Sequence, residues 1–481
     1  MILKPARVFL AAFLVLILYV AGVRAQNTDA DRDGEFSQST TSYPPLASWA
    51  TGTETTPDSG QVSTDQLPLT GVQPLAPGNS RKTQNFLLPS FSVTTQLEGF
   101  NGASLVTYLL GHLDLHHVSS RSELVLDYTG GGMVSTAGSD LNSVIQDLKL
   151  SDSFEWQRWS LLLGDAGSYL SRSAFGFGGV GGLGFLGGIS QFGSGGVLGG
   201  TLPFLNTFVT PNQTIPTAIV PQVSNTVFSQ VQYQLSPRSS WTAAGSYGLL
   251  RFIHAGYINS SNVLFQTGYN YQVSPLTSLA VLYRFDAFQF ANLAQGVDDH
   301  VVQVGYAHRV TGRLSFQLAA GPNLATFREP LTGSTTALTW SADTSVTYQL
   351  ARTALSLRYD HLLTAGSGVL VGAQTSQVQG AISHTLSRTW QGSLAFGYAG
   401  NRSLPQTTAN SVQESFNYWY AAIQADHQFR PGMAIFFGYG VRLQGSNTAV
   451  CAAPNCGSNF ISHTLSLGFN WGLRPVALGG R

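Results

Sequence analysis

The stretch 464–473, Thr-Leu-Ser-Leu-Gly-Phe-Asn-Trp-Gly-Leu, decides the fold of this chain. Every second residue from Leu465 to Leu473 is large and apolar, and the residues between them are small or polar. Successive side chains of a β-strand point to opposite faces, so a period of two separates the two kinds of residue. The stretch therefore predicts a strand with one apolar, aromatic face and one polar face.

The same alternation recurs upstream, in Met433–Leu443, Trp340–Leu350 and Val263–Val273, and it begins at about Leu87. Many of these strands are predicted to exceed ten residues. About 9 to 11 tilted residues cross a membrane, whereas about 5 to 6 are usual in soluble sheets. Tryptophans lie close to predicted turns or to the C-terminus, as interfacial girdles require; they are Trp159, Trp241, Trp390 and Trp471. The pattern favours a membrane β-barrel over a soluble β-sandwich.

The amino-acid composition also indicates that the apolar face lies against lipid and not against water. Charged residues make up 10% of the 481 residues, against roughly 25% in soluble domains. No run of about 18 apolar residues follows the N-terminus, which excludes helical membrane spans there. The formal net charge is +0, so no electrostatic argument for nucleic acid exists. A chain too apolar for water and too interrupted for membrane helices indicates a closed β-barrel.

Tight turns set the predicted number of strands. They are expected near Ser119, Gln157, Arg238, Pro275, Gly312, Arg352, Arg388 and Pro431. Their spacing is roughly 37 residues, one hairpin plus one longer loop, except where an inserted loop, 171–222, intervenes. Eight turns account for sixteen strands, and the segments Leu87–Gly99 and Asn459–Leu473 add two more. We predict an all-β, closed antiparallel barrel of about 18 strands, with sixteen as the alternative.

The remaining segments have simpler compositions. Residues 1–25 carry Lys4 and Arg7, an apolar core and a small-residue site ending at Ala25, which indicates a cleaved signal peptide; an uncleaved anchor is the alternative. Residues 26–86 predict a disordered periplasmic segment, and 87–474 the barrel. Cys451 and Cys456 can close a small disulfide in an oxidising compartment or stay as free thiols.

The polar face of the strands gives the predicted pore lining. Its charged members are Glu123, Asp127, Asp147, Lys149, Arg284, Asp286, Asp343, Arg358, Asp360, Asp426 and Arg442. Both signs occur, which predicts weak ion selectivity and passage of neutral polar solutes. His112, Asp114 and His116 alternate on one face and would allow a metal, but hydrogen-bonded wall residues are the favoured interpretation. We expect no cofactor, metal or catalytic site.

The inserted loop 171–222 is rich in glycine and apolar residues in its first half and in proline in its second. So apolar a segment is costly in external water. We expect it to fold into the barrel mouth and narrow the pore, with contact to a partner as the alternative.

The export signal ending at Ala25, the amphipathic strands from Leu87 and the terminal Phe469-Asn470-Trp471 together resemble the bacterial outer-membrane β-barrel superfamily, at a size similar to porins. The resemblance implies location in the outer membrane and insertion by the barrel-assembly machinery, which recognises an aromatic last strand. The chain departs from the usual form by continuing through Arg474 to Arg481.

The function predicted from these features is a non-enzymatic, porin-like channel for passive diffusion of small polar solutes. One alternative is a component of an exopolysaccharide export system, in which 26–86 would dock a periplasmic partner. The other is a structural or adhesive surface barrel. Outer-membrane lipid is the expected surrounding, and the oligomeric state stays open.

Overall fold

The computed structural model of the chain describes residues 85–99, 103–136, 143–170, 221–253, 256–291, 295–311, 313–329, 333–404, 414–430, 432–447, 459–473 and 476–477. The first nine strands are β1 (Phe86–Gly99), β2 (Ala103–Val118), β3 (Ser122–Ser135), β4 (Ser143–Glu155), β5 (Trp159–Leu170), β6 (Gln222–Ser236), β7 (Ser239–Phe252), β8 (Ser260–Ser274) and β9 (Thr277–Phe290). The others are β10 (Gln295–Thr311), β11 (Leu314–Glu329), β12 (Gly333–Gln349), β13 (Thr353–Thr364), β14 (Ala373–Thr385), β15 (Trp390–Ser403), β16 (Ser415–Arg430), β17 (Met433–Ser446), β18 (Phe460–Gly472) and β19 (Val476–Ala477).

Each long strand pairs antiparallel with the next, and the last returns to the first. β1 pairs with β18 from Ser90↔Gly472 to Gly99↔His463, and the short β19 extends this ladder to Phe86↔Ala477. The sheet is therefore a closed antiparallel barrel of 18 long strands. The predicted count of 18 is confirmed, and the alternative of sixteen is wrong.

The outer face of the barrel is apolar and the inner face is polar, which is the reverse of a water-soluble protein. On β18, Leu465 is 57% exposed on the outside, whereas the neighbouring Ser466 is 3% exposed on the inside. The same contrast runs around the sheet, with exposed leucine, valine and aromatic side chains outside and buried serine, threonine and glutamine side chains inside. A water-soluble protein hides its apolar face, so this outer face is suited to lipid.

The tryptophans form two levels on this outer face. Trp159, Trp241, Trp390 and Trp471 are exposed near the ends of strands that face the short turns. Trp340 and Trp419 are exposed near the opposite edge of the apolar band. Amphipathic rings at two heights are typical of the two interfaces of a bilayer. Among the described residues, no helix is long and apolar enough to cross a membrane.

The short turns of one rim repeat a backbone contact. In all eight turns a carbonyl accepts a hydrogen bond from the long strand that follows that hairpin along the chain, at 2.6 to 2.9 Å. For example, the Glu155 amide donates to the Arg121 carbonyl and the Gln234 amide to the Arg158 carbonyl. The remaining acceptors are the carbonyls of Arg238, Leu276, Arg313, Arg352, Thr389 and Gly432. The turns occur where the sequence predicts them.

Several predictions fall on residues outside the described part. They are the signal peptide 1–25, the segment 26–86 apart from its last two residues, the loop 171–222 apart from its last two residues, and the pair Cys451 and Cys456. Strand pairing extends slightly beyond the expected barrel limits of 87 and 474, because Phe86 pairs with Ala477.

Candidate functional site

The inner face of the barrel is the candidate site, and the strand register defines it. Residues directly opposite each other on neighbouring strands share a face, so positions can be followed from buried Ser466 around the sheet. All eleven charged residues predicted to line the pore occupy inner-face positions. The register also places Asp114 and Asp299 there, opposite Asp127 and Asp286 respectively.

The best-connected group on this wall centres on Arg358 of β13. Its Nη2 donates to Asp343 Oδ2 of β12 at 2.7 Å, and its Nε donates to Asp360 at 2.9 Å. Gln377 Nε2 of β14 donates to Asp360 Oδ2 at 2.8 Å. Charge-assisted bonds of this kind fix orientation strongly. The group, called here the Arg358 network, links three strands.

A second group lies on β8 to β10. Arg284 Nη2 is 3.7 Å from Asp299 Oδ2, and Asn262 Nδ2 is 3.5 Å from Asp286 Oδ1. Asp299 was not among the residues predicted from the sequence, because it belongs to Val297-Asp298-Asp299-His300, where two adjacent acids hide the alternation. The register resolves them: Asp299 faces inward, while Asp298 faces outward and accepts from Arg328 at 2.8 Å.

A third group lies on β2 to β4 and contains the predicted metal candidates. Lys149 Nζ is 3.6 Å from Asp147 Oδ1. His112 contacts the hydroxyls of Ser92 and Thr129 at 3.0 and 2.8 Å, and His116 contacts Glu123 at 2.8 Å. Within the described ranges, no group of three or more histidine, cysteine or acidic residues could hold a metal ion.

The last two predicted residues lie on β16 and β17. Asp426 accepts from Gln424 Nε2 at 2.6 Å, and Arg442 lies opposite Tyr420 in the register.

A neutral polar patch covers the inner wall of β6 to β8. It contains Gln230, Thr242, Ser246 and Asn270, all buried. Gln230 Oε1, Thr242 Oγ1, Ser246 Oγ and both polar atoms of the Asn270 amide have no hydrogen-bond partner among the described residues. These atoms are themselves buried, so the patch shows only that this part of the inner wall is built from polar, uncharged side chains.

The outer end of the lumen carries a feature that the sequence analysis missed. The loop Ala365–Gly372 between β13 and β14, called here the mouth loop, includes one turn of 3-10 helix, Gly366–Gly368. Its Val369 and Leu370 are buried in a cluster with Phe416 of β16, against which Tyr257 packs. The Gly368 carbonyl accepts from the Ile258 amide at 2.8 Å. The mouth loop therefore bridges strands that are not neighbours, across the mouth of the barrel.

Two glycines fit the mouth loop to its neighbours. Gly368 has φ +77°, and a Cβ there would collide with the ring of Phe252 on β7. Gly372 has φ +72°, and a Cβ there would meet Leu404 at 2.6 Å. Positive φ favours glycine, and here close packing requires it as well. The signal available in the sequence was an apolar Val369-Leu370-Val371 between two strands, where outer loops are normally polar.

Comparison with known proteins gives structural likenesses only. No family profile matches the chain, and no curated protein matches it. Among solved structures, Pseudomonas aeruginosa OpdQ matches at 9% identity and a TM-score of 0.41, over 82% of this chain and 99% of that chain. P. aeruginosa OccK2 (OpdF) in complex with glucuronate matches at 8% identity and a TM-score of 0.42, over 81% of this chain and 98% of that chain. P. aeruginosa OprD matches at 10% identity and a TM-score of 0.40, over 82% of this chain and 96% of that chain.

The membrane assignment rests on the geometry of the chain itself. It has an even number of long antiparallel strands, a closed ladder, an apolar outer band with two tryptophan levels, and short turns on one rim only. This combination is the architecture of bacterial outer-membrane barrels. The chain therefore folds as a transmembrane β-barrel of the outer-membrane type, and in such barrels the short turns lie on the periplasmic side.

Proposed function

We propose that the protein is a passive channel for small polar solutes. The observation that supports this best is the polarity of the inner face, which carries buried serine, threonine, glutamine and asparagine side chains, whereas the large apolar side chains face outward. A polar interior is typical of membrane barrels that hold a water-filled channel. An interior that served only as a packed core would carry apolar side chains there.

The charged groups of the inner wall determine which ions the channel is expected to prefer. Of the eleven predicted residues together with Asp114 and Asp299, nine are acids and four are bases. Three of the four bases lie against acids: Arg358 in its network, Arg284 and Lys149. Pairing weakens the field and the excess of acids leaves it negative, so the channel is expected to prefer cations weakly.

Two loops are proposed to narrow the path. The mouth loop bridges the outer end of the lumen with an apolar surface. The inserted loop 171–222, apolar and glycine-rich, is proposed to fold into the same lumen and form the main constriction. Insertion by the barrel-assembly machinery belongs to the same proposal, whereas contact of 26–86 with a periplasmic partner belongs to the alternative of an export component.

Planar-bilayer conductance and liposome swelling of the purified full chain test the channel. Wild type is expected to give stable open steps and to admit small neutral sugars. Deleting 171–222 should enlarge the steps, because it removes the proposed constriction. Shortening the outer loop 405–413 serves as the control and should leave them unchanged. Absence of open steps in wild type and in the 171–222 deletion alike would refute the proposal.

A further inference from the structure

The boundary between β12 and β13 is incomplete. β12 pairs with β11 along its length, from Glu329↔Gly333 to Leu314↔Tyr348. It pairs with β13 only from Ala342↔His361 to Gln349↔Ala354. Residues 333–341 therefore have a ladder neighbour on one side only within the described structure. The point above Ala342 and His361 where the strands part is called here the fork.

Burial above the fork shows how the two strands lie. His361 and Leu363 occupy outward positions of β13, because Leu355 of the same parity pairs with outward Tyr348. Both are nevertheless buried, at 7% and 5% exposure. The indole of Trp340 stacks on His361 with ring centroids 3.9 Å apart and an interplanar angle of 12°. The upper part of β13 thus lies inside the β11–β12 hairpin.

Apolar side chains lie on both sides of the fork. Outside it, Leu338 is 73% exposed and Trp340 is 50% exposed on the lipid-facing side. Inside it, Leu363 packs in one cluster whose other buried members lie on the inner wall of β9 to β11. This group, the mouth cluster, comprises Phe288, Phe290, Val297, Ala325, Phe327 and Leu363.

His361 and its partners bring polar groups to the fork. His361 Nδ1 is 2.7 Å from Ser376 Oγ, and its Nε2 is 3.0 Å from Gln374 Nε2. If these side chains separated, they would leave an apolar gap with one hydrogen-bonding ring at its edge, which suits a molecule with an aromatic or aliphatic body and a single polar group.

We propose that the fork is a lateral portal, through which apolar or amphipathic small molecules pass between the mouth of the barrel and the outer leaflet. Elsewhere along the wall, opening would break a ladder of backbone hydrogen bonds, which lipid cannot replace. At the fork, opening only separates overlapping apolar side chains and the Trp340–His361 stack. The portal is distinct from the polar lumen below it.

A reversible disulfide tests the portal. In the full chain with Cys451→Ser and Cys456→Ser, the pair Trp340→Cys and His361→Cys spans the fork. Thr326→Cys and Thr336→Cys form the control pair, because these residues lie opposite each other within the β11–β12 hairpin, with hydroxyls 3.4 Å apart. The readout is entry of the amphipathic fluorophore 1-N-phenylnaphthylamine into Gram-negative cells that express each variant.

Oxidation of the fork pair is expected to reduce fluorophore entry to that of cells lacking the protein, and reduction should restore it. The control pair should be insensitive to oxidation, and neutral sugar entry should be unchanged by either disulfide. Equal fluorophore entry in the oxidised and reduced fork pair would overturn the portal. Disulfides that join two chains would also overturn it, since the open edge of β12 would then face a second copy.

A second pair of variants avoids any dependence on disulfide formation. Trp340→Ala removes the ring that covers the fork and should increase fluorophore entry. Trp419→Ala is the matched control, because Trp419 lies in the same tryptophan level on β16, which is paired with both neighbours. An equal increase in both variants, or none in Trp340→Ala, contradicts the portal.

Discussion

Two boundaries between strands differ in how far their backbone ladders extend. The β1–β18 boundary is fully paired, whereas the β12–β13 boundary is paired over only part of its length. β1 and β18 are the most distant strands in sequence, yet they pair from Ser90 to Gly99 and are extended by β19. β12 and β13 are joined by the short segment Leu350–Arg352, yet their ladder ends at Ala342↔His361. Closeness along the chain therefore does not determine how far two strands pair.

The mouth loop explains why the β12–β13 ladder is the shorter one. β13 leads into the mouth loop, which is held to Ile258 and to Phe416 on the far sides of the lumen. β13 remains paired with β14 up to Thr364↔Ala373, so both strands follow the loop inward. The ladder breaks on the other side of β13, between β13 and β12.

The largest expected effect contrasts the same substitution at the two boundaries. Leu467→Arg places a cation on the lipid face in the middle of β18 and should cost about 2–4 kcal/mol of folding free energy. Leu338→Arg, near the outer edge of the apolar band at the fork, should cost about 0–1 kcal/mol. Reversible urea unfolding in lipid vesicles measures both. Equal costs would show that the fork is embedded as deeply as the closing boundary.

The next effect concerns the Arg358 network, which lies directly below the fork. Arg358→Met leaves Asp343 and Asp360 without their shared cation. A buried pair broken in this way costs about 3–5 kcal/mol, and partial exposure here reduces the expectation to about 2–3 kcal/mol. Hydrogen exchange should show faster amides spreading down β12 from Ser341 towards Ser345. Unchanged protection in this stretch would mean that the backbone ladder alone sets where the fork begins.

A smaller effect is expected from the stack above the fork. Trp340→Ala removes an aromatic contact worth about 0.5–1.5 kcal/mol. The amides of His361 to Thr364 should lose protection in hydrogen exchange, while those of β18 stay unchanged. If β13 kept its full protection, the overlap with the β11–β12 hairpin would have to be held by the mouth cluster alone.

The smallest effect is expected at the outward ion pair beside the fork. Arg328 donates to Asp298 at 2.8 Å, and its side chain is exposed. Arg328→Gln should cost less than about 1 kcal/mol and should cost nothing measurable in high salt. Urea unfolding at low and high salt provides the comparison. A cost as large as that of Trp340→Ala would show that charge, and not apolar contact, holds the hairpin over β13.

The sequence predicts the parts of this fold that depend on a period of two. Alternation in segments such as Thr464–Leu473 identifies the strands and their faces, and turn residues such as Pro275 and Gly312 identify the hairpins. The inward position of residues such as Asp286 and Arg358 follows from the same period. These features are local, so one chain suffices to find them.

The mouth loop and the fork were not predictable in this way. Whether Val369 and Leu370 turn inward depends on Phe416 and Tyr257, which are distant in sequence. The fork depends on the absence of pairing, for which residues 333–341 carry no signal, because their alternation matches that of a fully paired strand. Asp299 was missed for a local reason, since Asp298 beside it gave no basis for choosing a face.

The repeated carbonyl contact of the short turns has a consequence for how such barrels change size. Each of the seven hairpins from β4–β5 to β16–β17 supplies an amide that bonds to the previous turn and a carbonyl that accepts from the next strand. Removing or duplicating one whole hairpin therefore leaves every remaining fastening intact, whereas removing a single strand leaves one turn without its donor. Barrels of this kind can therefore gain or lose circumference in steps of two strands, because each step adds or removes one complete hairpin.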